Sequence, residues 1–279
     1  MTKSVDAYGV MGNPIAHSKS PQIHALFAQQ TQQAMSYAAI YVELGAFPEA
    51  VKQFVREGGK GFNITVPFKQ EAWAIADERS ERAQFAGAVN TIAVREDGSL
   101  YGDNTDGIGM VRDITVNHGC AITNKRVLVL GAGGAVRGVL GPLLAEQPAS
   151  LAVANRTVER AVELAELFKS KGMITACGFD ELAGRQFDLV INGTSASLQG
   201  ELPPLPEKIL SPGAWCYDMM YGAAPTPFMR WAQQHGAAHA LDGLGMLVEQ
   251  AAEAFLLWRR VRPQTSPVIK TIRDGLTAR

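Results

Sequence analysis

The chain has 279 residues, enough for one large or two ordinary domains, with 47% hydrophobic residues, only 19% charged ones and a formal net charge of −1. That composition excludes a disordered chain, and the near-neutral charge gives no electrostatic reason to expect a nucleic-acid partner. The 28 glycines follow no fixed period, which excludes collagen. No apolar run reaches the ~18 residues of a membrane span, and the best candidate, 244–258, carries Glu249 and Glu253.

In chain order, strands and helices alternate, the pattern of an α/β protein with largely parallel sheets. Residues 7–12, 37–43, 61–66 and 90–95 read as strands, rich in β-branched and aromatic residues and bounded by Gly or Pro. Helical spacing of apolar residues occupies 21–32, 47–57 and 68–77, and a turn at 96–99 leads into a short strand near Leu100. A second unit opens at Lys125, with strands 126–130, 151–155, 188–192 and 215–219 and helices 134–146, 157–171, 227–236 and 244–260. The expected domains are therefore 1–105 and 106–243. The helix 244–260 is expected to return to the first, since a cleft between two halves needs walls from both. Residues 261–279 read as a basic, Pro-containing tail without an assigned role. Residues 1–8 lack the basic and apolar regions of a signal peptide. Cys120, Cys177 and Cys216 form no C-x-x-C pair, and the five histidines are scattered. Reduced thiols in a cytoplasmic protein and no metal site are expected.

Gly131, Ala132, Gly133, Gly134 and Ala135 directly follow the strand 126–130 and open a helix, the context in which a Rossmann fingerprint binds a dinucleotide. Gly131 permits the tight turn. Gly133, without a Cβ, lets a pyrophosphate approach the backbone, and the helix N-terminus offers it unpaired N–H groups. The strict G-x-G-x-x-G fails at its sixth position, where Val136 stands. An NAD enzyme presents Asp or Glu after the next strand to bond the ribose 2′-hydroxyl. Here Asn155, Arg156 and Thr157 occupy that place, and Arg160 follows one turn on. Arginines form charge-assisted bonds with phosphate, so NADP(H) is preferred over NAD(H).

Four polar clusters in the first domain sit at element ends, where binding groups collect. In 17–21, Ser20 before Pro21 reads as a helix N-cap, and Ser18 and Ser20 together could hold a carboxylate. In 63–69, strand alternation puts Asn63 and Thr65 on one face. Lys69 then falls in the first turn of the next helix, where the macrodipole disfavours a cation; that suits proton transfer. The segment 87–91 brings Asn90 to the start of a strand. In 102–107, Asp103, Thr105 and Asp106 can each cap the helix beginning near Gly107, and a carboxylate near Lys69 would orient it.

With these stretches in hand, the chain resembles the shikimate dehydrogenase family. The resemblance rests on 12–21 (GNPIAHSKSP), 61–69 (GFNITVPFK), 87–91 (GAVNT), 102–107 (GDNTDG), 131–135 (GAGGA), 155–157 (NRT), 192–195 (NGTS), 217–219 (YDM) with Tyr221, and 242–246 (DGLGM). It implies an N-terminal α/β substrate domain, a C-terminal Rossmann-type NADP-binding domain and a cleft between them. It implies NADPH-dependent, reversible reduction of 3-dehydroshikimate to shikimate, on the route to chorismate and aromatic amino acids. It further implies that Ser18 and Ser20 hold the substrate carboxylate. Asn63, Thr65, Asn90, Asp106 and Gln250, with Tyr221 nearby, would contact the ring hydroxyls, and Lys69 and Asp106 would form the catalytic pair. Gly131, Ala132, Gly133, Gly134 and Ala135 would bind pyrophosphate, Asn155, Arg156, Thr157 and Arg160 the 2′-phosphate, and Met219 and Gly243 would line the nicotinamide pocket. A small-molecule substrate, no nucleic-acid or membrane partner, and a monomer or homodimer are expected. Two rival readings are an NAD-preferring quinate/shikimate dehydrogenase and a non-catalytic NADP(H)-binding regulator. The missing acid at 155–157 speaks against the first. Retention of both Lys69 and Asp106 speaks against the second.

Overall fold

Short apolar strands alternating with amphipathic helices can bury both partners only by layering helices on sheets. The computed structural model, which describes residues 5–194, 196 and 201–278, shows two such assemblies. Of the 192–195 motif, Ser195 lies outside the described residues, as do residues 1–4 of the stretch read for a signal peptide. Residues 5–109 and 248–272 form one unit, and 110–247 with 273–278 form the other.

The first unit runs β1 (Asp6–Gly12), α1 (Ser20–Thr31), β2 (Met35–Tyr41), α2 (Phe47–Arg56), β3 (Gly61–Ile64), α3 (Lys69–Ile75), β4 (Glu78–Arg79), α4 (Glu81–Ala86), β5 (Thr91–Val94) and β6 (Leu100–Asp103). Its six-stranded sheet has the order β2-β1-β3-β5-β6-β4. β1 lies parallel to β2 and β3, whereas β5 is antiparallel to both β3 and β6. Phe47, Phe62, Phe68, Ile64 and Ile92 fill the core on one side of it, with Phe47 and Phe68 stacked at 5.0 Å.

α5 (Asp106–Arg112) and one π-helical turn (Asp113–Asn117) lead on to β7 (Arg126–Leu130), α6 (Gly134–Ala145), β8 (Ser150–Ala154), α7 (Val158–Phe168), β9 (Ile174–Cys177), β10 (Phe187–Asn192), β11 (Leu210–Asp218), α8 (Pro227–Gln234) and β12 (His239–Asp242). The six strands are all parallel, in the order β12-β11-β10-β7-β8-β9. Renumbered within the unit, that is the doubly wound order 3-2-1-4-5-6, whose strand order reverses beside its first strand. The strands are buried on both faces, which explains the near-continuous apolar runs of β7 and β8. α9 (Leu244–Arg259) and α10 (Ser266–Thr277) close the chain.

Several elements differ from the sequence reading. β2 covers 35–41 and not 37–43, because its register pairs Asp6 with Met35 and Gly12 with Tyr41, where β1 ends. β4, α4, β9 and β12 escaped it: they have two to six residues, too few for a period to show. Residues 261–279 are not a featureless tail but contain α10, whose Val268 and Ile272, one turn apart, are buried. Ser20 is not an N-cap: it is the first helical residue, and Lys19 holds the cap position without a side-chain bond. The helix read as starting near Gly107 starts at Asp106, and Asp103 does not cap it, because its carboxylate is engaged by Arg82 and Ser80. Thr157 holds the N-cap position of α7 without a side-chain bond.

Candidate active site

The polar ends of β3, β5 and β6 converge in the first unit. Lys69 stands at the first position of α3, with Nζ 2.6 Å from Oδ2 of Asp106, the first residue of α5. Oδ1 of Asp106 accepts from Nδ2 of Asn90 (2.8 Å), so both carboxylate oxygens are held. Asn90 is the hub. Its Oδ1 accepts from the Thr105 backbone N–H (2.9 Å) and from the hydroxyl of Thr91 (2.9 Å), and its carbonyl accepts from Nδ2 of Asn63 (3.2 Å). The same Asn63 amide group reaches the Thr91 hydroxyl at 3.0 Å. Gln250 joins through Oε1, 3.4 Å from Nδ2 of Asn90 and 3.5 Å from the Thr105 hydroxyl. The backbone also ties the pair to this hub: the Val89 N–H donates to the Lys69 carbonyl at 2.9 Å. Asn63, Lys69, Asn90, Asp106 and Gln250 thus form one connected network.

Thr65 lies just past β3, and its methyl fills space that a side chain on Gly12 would occupy. The Asn13 N–H donates to the Val66 carbonyl at 3.1 Å, joining this loop to the one that carries Ser18 and Ser20. Ser18 Oγ accepts from the Ser20 N–H at 3.3 Å. Tyr37 joins the Asn63 cluster: its hydroxyl donates to Oδ1 of Asn63 at 2.7 Å. Burial raises the Tyr37 phenol well above its ordinary pKa, so it stays a donor. Its ring stacks on His24 at 4.2 Å, and burial lowers the His24 pKa to about 3, so this histidine is neutral. The sequence reading missed Tyr37, Thr91 and His24 as members of the site. Tyr37 and His24 lie mid-element and look like core residues, and only the Thr91 position inside the GAVNT motif offered a signal.

Asp103 anchors the loop beneath the pair. Arg82 Nε and Nη2 engage Asp103 in a fork (2.7 and 2.6 Å), the Ser80 hydroxyl donates at 2.5 Å and the Asn104 N–H at 2.7 Å. Asn104 Oδ1 in turn accepts the Asp106 N–H at 3.2 Å.

In the second unit, Gly131 has φ +103°, a conformation that favours glycine, and its N–H donates to the Ala154 carbonyl (2.8 Å). Gly133 and Gly134 are different. Neither has a left-handed φ, and a Cβ at either would meet nothing within 4 Å. Nothing among the described residues requires glycine there. Gly133 is the N-cap of α6 with no capping side chain, and Gly134 and Ala135 are exposed, so the first N–H groups of the helix face open space. A bare backbone and an uncapped N-terminus fit a pyrophosphate. At the end of β8, Asn155 Nδ2 donates to the Thr157 carbonyl (2.8 Å), which shapes the turn, while Arg156 and Arg160 are exposed and have no acidic partner among the described residues. Gly243 packs against Met219, whose carbonyl leaves no room for a Cβ at Gly243. Tyr221 lies two residues beyond Met219, in the second unit, and burial together with the Asp242 charge raises its pKa.

A parallel sheet of this order, with a glycine-opened helix beside its reversal, defines the dinucleotide-binding class of α/β proteins. Family models match most of the chain: the shikimate dehydrogenase substrate binding domain at residues 10–92, shikimate/quinate 5-dehydrogenase at 115–199, and the shikimate 5′-dehydrogenase C-terminal domain at 243–273. The shikimate dehydrogenase (NADP(+)) of Alkalilimnicola ehrlichii is 63% identical over 96% of this chain and 98% of its own length. Among solved structures, an Ael1 enzyme from Pseudomonas putida superposes with a TM-score of 0.90 at 48% identity, covering 95% of this chain and 97% of that one. A Thermus thermophilus shikimate 5-dehydrogenase in complex with NADP(H) and shikimate superposes with a TM-score of 0.86 at 33% identity, covering 98% of this chain and all of that one. The chain belongs to the shikimate dehydrogenase family.

Proposed function

We propose that the protein catalyses the reversible, NADPH-dependent reduction of 3-dehydroshikimate to shikimate, on the route to chorismate and aromatic amino acids. The observation that carries this reading is the Lys69–Asp106 pair at 2.6 Å, fixed by Asn90 within a network of neutral donors and acceptors. A polyhydroxy ring acid needs that inventory. Ser18 and Ser20 hold its carboxylate, while Asn63, Thr65, Asn90, Asp106, Tyr221 and Gln250 hold its hydroxyls.

NADPH, when bound, supplies the hydride to the ring ketone. The carbonyl oxygen then needs a proton. Lys69, as an ammonium, donates it, and Asp106 holds both Lys69 and the substrate hydroxyl in line. In the oxidising direction Lys69 accepts the proton. The two groups share one hydrogen bond. Gly131, Ala132, Gly133, Gly134 and Ala135 hold the pyrophosphate, Asn155, Arg156, Thr157 and Arg160 hold the 2′-phosphate, and Met219 and Gly243 line the nicotinamide pocket. The exposed arginines, in place of an acid, favour NADP(H) over NAD(H).

We read the protein as cytoplasmic, a monomer or homodimer without a nucleic-acid partner. Among the described residues no helix is long and apolar enough to cross a membrane. The test is a steady-state comparison of shikimate and quinate with NADP⁺ and NAD⁺. The reading expects shikimate with NADP⁺ to have the highest kcat/KM. A preference for quinate or for NAD⁺ would contradict it.

A further inference from the structure

The residues that carry the family resemblance give α10 no role, yet one of its side chains reaches two loops of the proposed site. Arg273 Nη1 donates to the Gly222 carbonyl at 3.0 Å, and its Nη2 donates to Oδ1 of Asp242 at 2.5 Å. Arg273, Gly222 and Asp242 belong to one unit. Asp242 is buried, and the same oxygen accepts the Leu244 N–H at 3.2 Å at the start of α9. The Gly243 N–H donates to the Met220 carbonyl at 3.0 Å. The loop after β11 and the turn after β12 are therefore joined twice, once by backbone and once by the guanidinium fork. Gly222 follows Tyr221, and Asp242 precedes Gly243, which packs on Met219. The Asp242 charge already bears on the Tyr221 phenol, and Arg273 is the cation that compensates it.

We infer that Arg273 is a positioning residue for the proposed reaction: by holding Gly222 and Asp242 together it fixes Tyr221 and the Met219–Gly243 pair. The inference rests on the functional reading above. The planar guanidinium suits the task because it meets two acceptors of different loops at once, which the single ammonium of a lysine does not reproduce.

The test compares wild type with Arg273→Ala and Arg273→Lys in two measurements: shikimate oxidation with NADP⁺, and calorimetric binding of adenosine 2′,5′-bisphosphate to the ligand-free protein. That probe engages only the Arg156 and Arg160 end. Arg273→Ala should lower kcat/KM for shikimate about tenfold or more, as a small misplacement of site groups does. It should leave affinity for the bisphosphate within about twofold, since that end makes no contact with Arg273. Added guanidinium should restore part of the rate to Arg273→Ala, and Arg273→Lys should remain impaired. Unchanged kcat/KM in Arg273→Ala overturns the inference, as does a loss of bisphosphate affinity in step with rate, which would mark general damage. A wild-type protein inactive on shikimate overturns the functional reading, and the inference with it. An active wild type matched by Arg273→Ala overturns the inference alone.

Discussion

Arg156 and Arg160 are exposed and lack an acidic partner among the described residues, so their charge is available to a ligand. Replacing Arg156 with Ala should weaken NADPH binding about tenfold or more, the value of one charge-assisted hydrogen bond, and leave NADH binding nearly unchanged. Titration of both cofactors against the variant checks this, and equal losses would remove the 2′-phosphate role. Single residues were legible in the sequence where their chemistry conflicts with their place. Lys69 in a first helical turn and arginines where an acid is usual are such conflicts. Tyr37 and His24 were not legible, because an aromatic in a strand and a histidine in an amphipathic helix satisfy ordinary core patterns. Their roles arise from contacts across the sheet, such as the 2.7 Å bond from Tyr37 to Asn63.

Two elements of the first unit should report on stability. Arg82 of α4 neutralises the buried Asp103 at the end of β6. Arg82→Ala strands that carboxylate and should cost about 2–4 kcal/mol, somewhat below the value for a fully buried pair because Arg82 keeps partial exposure. Urea denaturation measures it. His24 of α1 is buried and neutral, with its pKa lowered to about 3. The unfolded chain protonates this ring below about pH 6.5, whereas the folded chain resists down to about 3. The stability that depends on neutral His24 is therefore complete above about pH 6.5. It falls as pH drops through that window, with a slope approaching 1.4 kcal/mol per unit. Denaturation of wild type and His24→Leu at pH 7 and 5 should show a flatter pH dependence in the variant. A slope equal to wild type would assign the effect to other groups. At this scale, the helices α1, α2, α6, α7, α8 and α9 were legible in outline, whereas only the end of β11 was, and α10 was passed over because its short apolar stripe sits in a basic, Pro-containing context. α4 was not legible, yet it carries Arg82 and, at its N-cap, Ser80, the two side chains that hold Asp103 ahead of the Asp106 loop.

For the whole molecule, the low charged fraction of 19% acquires a meaning. The proposed substrate site is built mainly from neutral Ser, Thr, Asn and Gln, with one Lys–Asp pair at its centre and the arginines kept for the cofactor phosphate. The sequence reading expected largely parallel sheets, and the antiparallel β5 of the first unit was not legible in it. The strand order was not legible either, because it depends on which strands pair across long separations. The account stands on Lys69 moving the proton, and the most direct measurement is kcat for shikimate oxidation by Lys69→Ala, with NADPH affinity measured alongside. The account predicts a loss of kcat of about 10²-fold or more with NADPH affinity nearly unchanged. Turnover close to wild type in that variant would contradict it.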